Sequence, residues 1–379
     1  MKIESFRAGT WKRQYQYKSF SPVFINQAWT WEDARINILL EQASQALARL
    51  DAHASLIPDV DTYIRLHVVK EAQTSSHIEG TQTTLDEAAA QEEFIAPERR
   101  NDWQEVGNYT RALNEAVAIL PKLPVSNRLL KQAHGRLLQG VRGRHKQPGE
   151  FRTSQNWIGG TGPNDAVFIP PHHDEVPELM SDLEKFWHNE AIAVPHLVRV
   201  AISHYQIETI HPFLDGNGRI GRLFIPLYLI SKNQLTKPCL YLSSYLERHK
   251  GAYFDALTTV RASNDLGHWV RFFLVAVSES ANQGVHTFES ILALAQECRQ
   301  KILRLGRKAP RAEALLKLLW ATPHVNARMV AEQLSVSHQT AIMLLRVFAK
   351  EKIVSEIKIS PRNTVFVFFR YLALFEKRP

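Results

Sequence analysis

The sequence predicts a mainly α-helical protein that ends in a winged helix-turn-helix domain. Three observations carry that expectation. Apolar residues recur at helical spacing through most of the chain. Strand-type alternation is confined to a few short runs. From Pro310 onward the pattern changes to three short amphipathic helices followed by two alternating runs.

The elements follow in order. Residues 1–30 are aromatic and irregular (Trp11, Tyr15, Tyr17, Phe20, Phe24) and read as an extended arm packed on the body. Helical spacing runs from Trp31 to Leu50 through Ile36, Leu39, Leu40, Ala43 and Leu47. A second helix covers Pro58 to Ser76, with Tyr63, Leu66 and Val69 on one side, and Gly80 is its stop. Asn101 to Leu120 and Ser126 to Leu138 are helical again. Gly140 to Ile169 carries eight glycines and prolines around the apolar patch Val167-Phe168-Ile169, which predicts a loop and a short hairpin. Helices then cover Asp174 to Glu190, Pro195 to Thr209, a stretch after Gly216, Lys250 to Ser263, and, as one or two pieces, Trp269 to Arg307. In the last segment the helices are Pro310 to Ala321, Ala327 to Leu334 and Ser337 to Lys350, the third capped by Ser337. The runs Ile353 to Ile359 and Thr364 to Phe369 pair across Ser360-Pro361-Arg362-Asn363.

Composition bounds the class. The chain has 379 residues, 45% hydrophobic and 22% charged, which excludes a disordered chain, a collagen-like fibre and a disulfide scaffold. No apolar run is long enough to cross a bilayer, Met1 to Arg13 is too polar for a secretory signal, and the two cysteines, Cys239 and Cys298, lack metal-ligand spacing. The expectation is a cytoplasmic protein with no membrane partner. The net charge of +8 is unevenly placed: from Ala295 to the end there are 16 Lys/Arg against 6 Asp/Glu. A basic terminal module favours a polyanion, and His338, Gln339 and Arg346 on its third helix are available for DNA contacts. A winged helix used for protein contacts or dimerisation is the alternative.

The stretch that carries chemistry is His211-Pro212-Phe213-Leu214-Asp215-Gly216-Asn217-Gly218-Arg219-Ile220-Gly221-Arg222. A helix ends near Thr209, a compact loop follows, and a new helix opens near Gly218. Consecutive N–H groups in such a turn, at a helix N-terminus, make an anion site. Asp215 inside this electropositive loop calls for a cation, and Mg²⁺ between phosphate oxygens would account for it. Arg219 and Arg222 leave one face of the new helix as two guanidinium forks suited to a polyphosphate. His211 stands at the mouth as a group able to take a proton near neutral pH.

This stretch resembles the signature of Fic-domain proteins, His-Pro-Phe-x-(Asp/Glu)-Gly-Asn-Gly-Arg-x-x-Arg, at every fixed position. The resemblance implies a Fic-type helical core with a short β-hairpin flap and a transfer of AMP from ATP to a hydroxyl of a target protein, with release of pyrophosphate. It implies that His211 is the general base, that Asp215 holds Mg²⁺, and that Gly216, Asn217 and Gly218 form the anion hole with Asn217 on the α-phosphate. Arg219 would then serve the β-phosphate side and Arg222 the γ-phosphate. Ser75-x-x-x-Glu79-Gly80 resembles the family's inhibitory motif, in which Glu79 reaches Arg222. Asn156 to Ile169 resembles its flap, and Tyr253 and Asn264 fall where the family places residues near the nucleoside. The implied division is an arm and helical region over 1–105, a catalytic core over 106–290, and a linker helix with the winged-helix domain over 291–379. The partners expected are a hydroxyl-bearing target protein, the chain itself, DNA at the C-terminal domain, and a second copy in a homodimer. Two alternatives stand beside this reading: a DNA-binding regulator that uses the core as a nucleotide sensor, and a different nucleotide-linked reaction, including removal of AMP. Gly218, where kinase-type members tend to carry a lysine, argues against a kinase.

Overall fold

The computed structural model describes residues 1–56, 60–360 and 363–376. The chain opens with a hairpin, β1 (Gly9–Arg13) and β2 (Lys18–Pro22), and continues through α1 (Ala34–Leu56), α2 (Val60–Ile78), α3 (Leu85–Ala89), α4 (Arg100–Ile119) and α5 (Asn127–Leu137). After a long loop come α6 (Val176–His188), α7 (His196–Ile210), α8 (Asn217–Ser231), α9 (Ser243–Arg248), α10 (Lys250–Ser263) and α11 (Leu266–Leu303). The C-terminal segment is α12 (Ala309–Ala321), β3 (His324–Val325), α13 (Ala327–Leu334), α14 (His338–Lys350), β4 (Ser355–Ser360), β5 (Asn363–Val367) and α15 (Phe369–Leu372). Among the described residues no helix is long and apolar enough to cross a membrane.

The centre of the body is the pair α7 and α8. From Leu197 to Ile210 every residue of α7 is buried, so this helix has no solvent face, and its polar residues Arg199, His204, Gln206 and Glu208 lie in the interior with its apolar ones. Gly221 lets the two helices close on each other, because a Cβ there would lie 2.5 Å from Glu208 Oε1. Outside them α11 runs against α1, and Gly284 gives Leu50 the room it occupies. Helix starts follow the capping chemistry of the sequence: Ser126 accepts from Leu129 N, Asp265 from His268 N, and Ser337 from Thr340 N.

The C-terminal segment folds as three helices with an antiparallel sheet of order β3–β5–β4, where Val325 faces Phe366 and Ile357 faces Val365. It does not stand apart from the body. Trp320 packs its ring 5.1 Å from Tyr63 of α2, Phe375 lies 4.7 Å from His67 of the same helix, and Arg370 binds Glu297 of α11 through two hydrogen bonds of 2.6 and 2.7 Å.

Several expectations change here. Residues 1–30 are not only an extended arm: they pair as β1–β2, with Trp11 opposite Phe20, and Phe20 N donates to Ile169 O (2.9 Å). The cause is an aromatic cluster of Trp11, Phe20 and Phe168 with ring centroids 5.2 to 6.0 Å apart. The segment 156–169 is a hairpin by one bridge only, Ile158 with Phe168, and its tip is tied by the Asp165 carboxylate accepting from Thr161 N and Gly162 N. The short helices α3, α9 and α15 carry too few turns for periodicity to reveal, although the Thr84–Glu87 capping box marks the first. Continuous helices run through both proposed boundaries, α4 through 105/106 and α11 through 290/291. The expected helix start at Pro58 and the turn residues Pro361 and Arg362 lie outside the described residues.

Candidate active site

Helix α7 ends because His211 turns left-handed (φ 51°, ψ 59°) at the start of the loop that follows. A non-glycine residue in that conformation needs support from its surroundings. Arg152, 2% exposed, supplies most of it. Its guanidinium donates to the carbonyls of His211 (2.9 Å), Pro171 (2.6 Å), Ile210 (3.3 Å) and Ser154 (3.2 Å), and its own N–H donates to Pro212 O (2.9 Å). Asn156 Nδ2 adds bonds to His211 O (3.1 Å) and Phe213 O (2.8 Å). Asn217 closes the loop from the other side: Oδ1 accepts from Phe213 N (2.7 Å) and Nδ2 donates to Phe213 O (2.8 Å). Replacing Arg152 with methionine leaves several buried carbonyls unpaired, and the expected result is a loss of about 3–5 kcal/mol, measured as a shift of the urea midpoint.

The loop is backed by His134, whose ring stacks on Phe213 with centroids 3.9 Å apart. His134 Nδ1 accepts from Gly149 N (2.9 Å), so Nε2 carries the proton and donates to Asp215 O (2.9 Å). Burial pushes its pKa down to about 4, in agreement with that neutral tautomer. His211 is neutral as well: burial, then Arg261 and Arg152, bring it down to about 3 against the opposing pull of Glu79. Its Nδ1 is sealed from solvent without a partner.

Gly216 (φ 75°) starts α8, and Ile220 N makes the first bond back, to Gly216 O (3.0 Å). The N–H groups of Asn217, Gly218 and Arg219 therefore precede the helical ladder. Asp215 keeps its carboxylate 41% exposed beside them, with Oδ1 accepting from Gly216 N (2.6 Å) and lying 3.7 Å from Arg219 Nη2. Arg219 is anchored on Glu105 (3.0 Å), which is shared with Arg142 (2.8 Å). Arg222, 2% exposed, donates to Ser75 Oγ and Ser75 O (both 2.9 Å) and to Glu79 Oε1 (2.6 Å). Glu79 reaches that point because α2 stops at Ile78 and Gly80 turns at φ 103°. Burial alone would raise the Glu79 carboxyl; the charge and hydrogen bond of Arg222, with Arg219 nearby, outweigh it and hold the group below its ordinary range. Glu79 also lies directly over Gly218, where a Cβ would collide with its Oε1.

Beneath these groups is a second buried layer. His204 bonds Gly221 O through Nδ1 (2.9 Å), which leaves Nε2 to accept from Tyr253 Oη (2.9 Å). Glu208 Oε1 is buried without a partner, and burial pushes its carboxyl up to about 7, partly offset by Arg222. Arg261 holds Thr209 Oγ1 (3.2 Å) and Glu208 O (3.1 Å) and covers the Phe168 ring at 4.1 Å, which joins this layer to the flap.

The fold thus brings together Glu79, His211, Asp215, Gly216, Asn217, Gly218, Arg219 and Arg222. Tyr253 is fully buried with its hydroxyl on His204, so it is a packed wall beneath Arg222. Asn264 ends α10 at φ 64° and its Oδ1 accepts from Ala8 N (2.8 Å), which commits it to the N-terminal arm. Arg152, Asn156, His134, Glu105, Glu208 and Arg261 were not singled out from sequence. Glu208 carried a signal as a carboxylate in a largely buried helix, and His134 and Glu105 as polar residues on the buried faces of α5 and α4; Arg152 and Asn156 lie in the loop before α6.

Comparison with known proteins adds the family. Residues 38–118 match the Fic/DOC family N-terminal model and residues 124–229 the Fic/DOC family model. The chain carries a Fic/DOC domain. Two curated relatives are named Protein adenylyltransferase Fic. The one from Drosophila erecta is 31% identical over 133 residues, 32% of this chain and 24% of that protein. The one from Culex quinquefasciatus is 34% identical over 125 residues, 33% of this chain and 22% of that protein. The Fic chain therefore spans about a quarter of the length of these relatives. A solved Fic family protein from Desulfovibrio desulfuricans shares the fold, with a TM-score of 0.58 over 90% of this chain and 98% of that one, at 22% identity.

The buried imidazoles of this Fic fold set a pH dependence. His67 and His134 are held to about 4 and His204 and His211 to about 3, in each case chiefly by burial. Unfolded histidine protonates near 6.5, so the unfolded chain binds more protons below that pH, and stability is lost as pH falls from about 6.5 toward 4. Glu208 acts in the opposite sense: its raised pKa favours the folded state below about 4.5 and that contribution is lost as pH rises through about 7. Glu71 and Asp182, also raised by burial, act with Glu208, and His196, lowered by burial, acts with the other imidazoles. The imidazoles are the larger set, and the expected result is a lower thermal midpoint at pH 5 than at pH 7 by scanning calorimetry.

Proposed function

We propose that this chain is a protein adenylyltransferase that transfers AMP from ATP to a serine, threonine or tyrosine hydroxyl, its own included, and that Glu79 holds it partly off. The observation that carries the reading is the Glu79 carboxylate on Arg222 at the opening of α8, within a site that also presents a neutral His211. In the reaction the target hydroxyl gives its proton to His211 and its oxygen bonds to the α-phosphorus. The bond from that phosphorus to the bridging oxygen breaks, and pyrophosphate leaves with the electron pair. The leading N–H groups of α8 and the Arg219 and Arg222 guanidinium groups would take the phosphate charge. A half-open carboxylate beside a polyphosphate site is the donor set Mg²⁺ uses, so Asp215 fits as its protein ligand. When bound, the ion would neutralise phosphate charge. Glu79 occupies the Arg222 contact that a γ-phosphate needs, so ATP in the productive pose and docked Glu79 exclude each other.

Two buried free thiols suit a reducing cytoplasm for this activity. Removal of AMP is a second reading, favoured by the 39% exposure of the Glu79 side chain, which can hold a water while bonded to Arg222. Intact-mass measurement after incubation with ATP and Mg²⁺ tests the assignment. The expected result is a gain of one AMP on a fraction of chains, larger for Glu79→Gly. A gain of phosphate alone, or no gain by either protein, would overturn it.

A further inference from the structure

We infer that the exposed side of α14 and the adjoining β4 form a docking surface for duplex DNA, and that the acidic segment around Glu93 lies across its edge as a built-in competitor. The surface is organised as a groove reader. Ser335 turns left-handed (φ 51°) between α13 and α14, and Ser337 caps the first turn of α14. Ala341, Leu344, Leu345 and Phe348 face the core, so Gln339, Met343, Arg346 and Lys350 form a single exposed stripe, with His338 exposed beside its start. A helix presented this way, with a hairpin at its side, has the dimensions of the DNA major groove.

Charge sorts in the same direction. On the side turned to the body the module's cations are paired, Arg370 and Lys301 with Glu297, and Arg299 with Glu313. Among the described residues, Arg346, Lys350, Lys352 and Lys358 have no carboxylate within ion-pair distance. Unpaired cations spread along a helix and the strand beside it fit a row of phosphates better than a single acidic side chain.

The competitor is read from a cavity of 420 Å³ between α14, the start of α13 and the sheet. Arg328, His338 and Arg346 line it, together with Glu356 and Glu93. Glu93 comes from the segment between α3 and α4, and its Oε1 accepts from Asn326 Nδ2 (3.1 Å) at the cap of α13. Asp86, on α3, is bonded to the buried His324 (2.9 Å) and fixes the same segment to β3. Glu92 beside it is exposed. A carboxylate thus stands among cations at the edge of the helix that would meet the phosphate backbone. Bringing DNA onto α14 sets phosphate against Glu93, so the duplex must displace that side chain or bear its repulsion.

The test uses the full-length protein and a fluorescein-labelled duplex of mixed sequence, followed by anisotropy, with no nucleotide present. Its outcome is therefore independent of AMP transfer. With about four phosphate contacts, affinity is expected to fall about 100-fold between 50 and 200 mM salt. Glu93→Gln is expected to bind about three- to tenfold tighter than wild type, and Arg346→Gln about tenfold weaker. Failure of both wild type and Glu93→Gln to bind at 50 mM salt would overturn the surface. Equal affinity of those two proteins would overturn the competitor. Polyglutamate displacing the duplex at equal charge concentration would reassign the face to an acidic protein and overturn the assignment to DNA.

Discussion

Glu79→Gly is expected to label itself with radioactive ATP about one to two orders of magnitude faster than wild type. The carboxylate makes a 2.6 Å charge-assisted bond to Arg222, a contact class worth about 1.5–3 kcal/mol. If that contact sets the balance between blocked and open sites, its loss shifts the population by the corresponding factor. The rest of the site should survive, because Arg222 keeps its bonds to Ser75 Oγ and Ser75 O. The glycine also clears the space above Gly218, where Glu79 Oε1 now lies. Glu79→Gln separates the two contributions: it fills the space but lacks the charge, so an intermediate rate is expected. Equal labelling by wild type and Glu79→Gly would remove the inhibitory role of this residue.

His211→Ala, made in the Glu79→Gly background, is expected to lower AMP transfer by about 10²- to 10⁴-fold, the usual contribution of a positioned acid–base group. The imidazole is unprotonated at physiological pH and so free to accept a proton, while burial and two nearby arginines make it a weaker base than a free imidazole. It makes no side-chain bond to the α8 opening, where Asn217 and the arginines hold the loop through other partners. Nucleotide affinity, measured by calorimetric titration, should therefore change only a few-fold while turnover collapses. Turnover within tenfold of the parent would exclude His211 as the base.

The two expected effects differ in how they could be foreseen. His211 and residues 215–222 sit within twelve consecutive positions, so one loop and one helix opening suffice to assemble them, and both are written locally in glycines, an asparagine and an apolar repeat. The helices of the body are legible for the same reason, since a repeat near 3.6 residues declares which face will be buried. Helix starts are legible at Ser126 and Ser337, whose side chains bond a backbone group three residues on, but the cap at Asp265 is missed, and that helix starts at Leu266 rather than at the expected Trp269. What a repeat does not declare is the surface that buries it. Phe20 pairing beside Ile169, Asn264 accepting from a backbone group 256 residues away, and Arg152 bonded to carbonyls on both sides of His211 are contacts of that kind. Likewise the aromatic seam from Trp320 and Phe375 to Tyr63 and His67, which fastens the C-terminal segment to the helix leading to Glu79, joins residues with no local relation. Local bonding and periodicity thus determined the helices and the reactive loop. Only the closing of distant surfaces, driven by burial and by the need to pair every sealed polar group, decided what holds that loop in place and what lies across it.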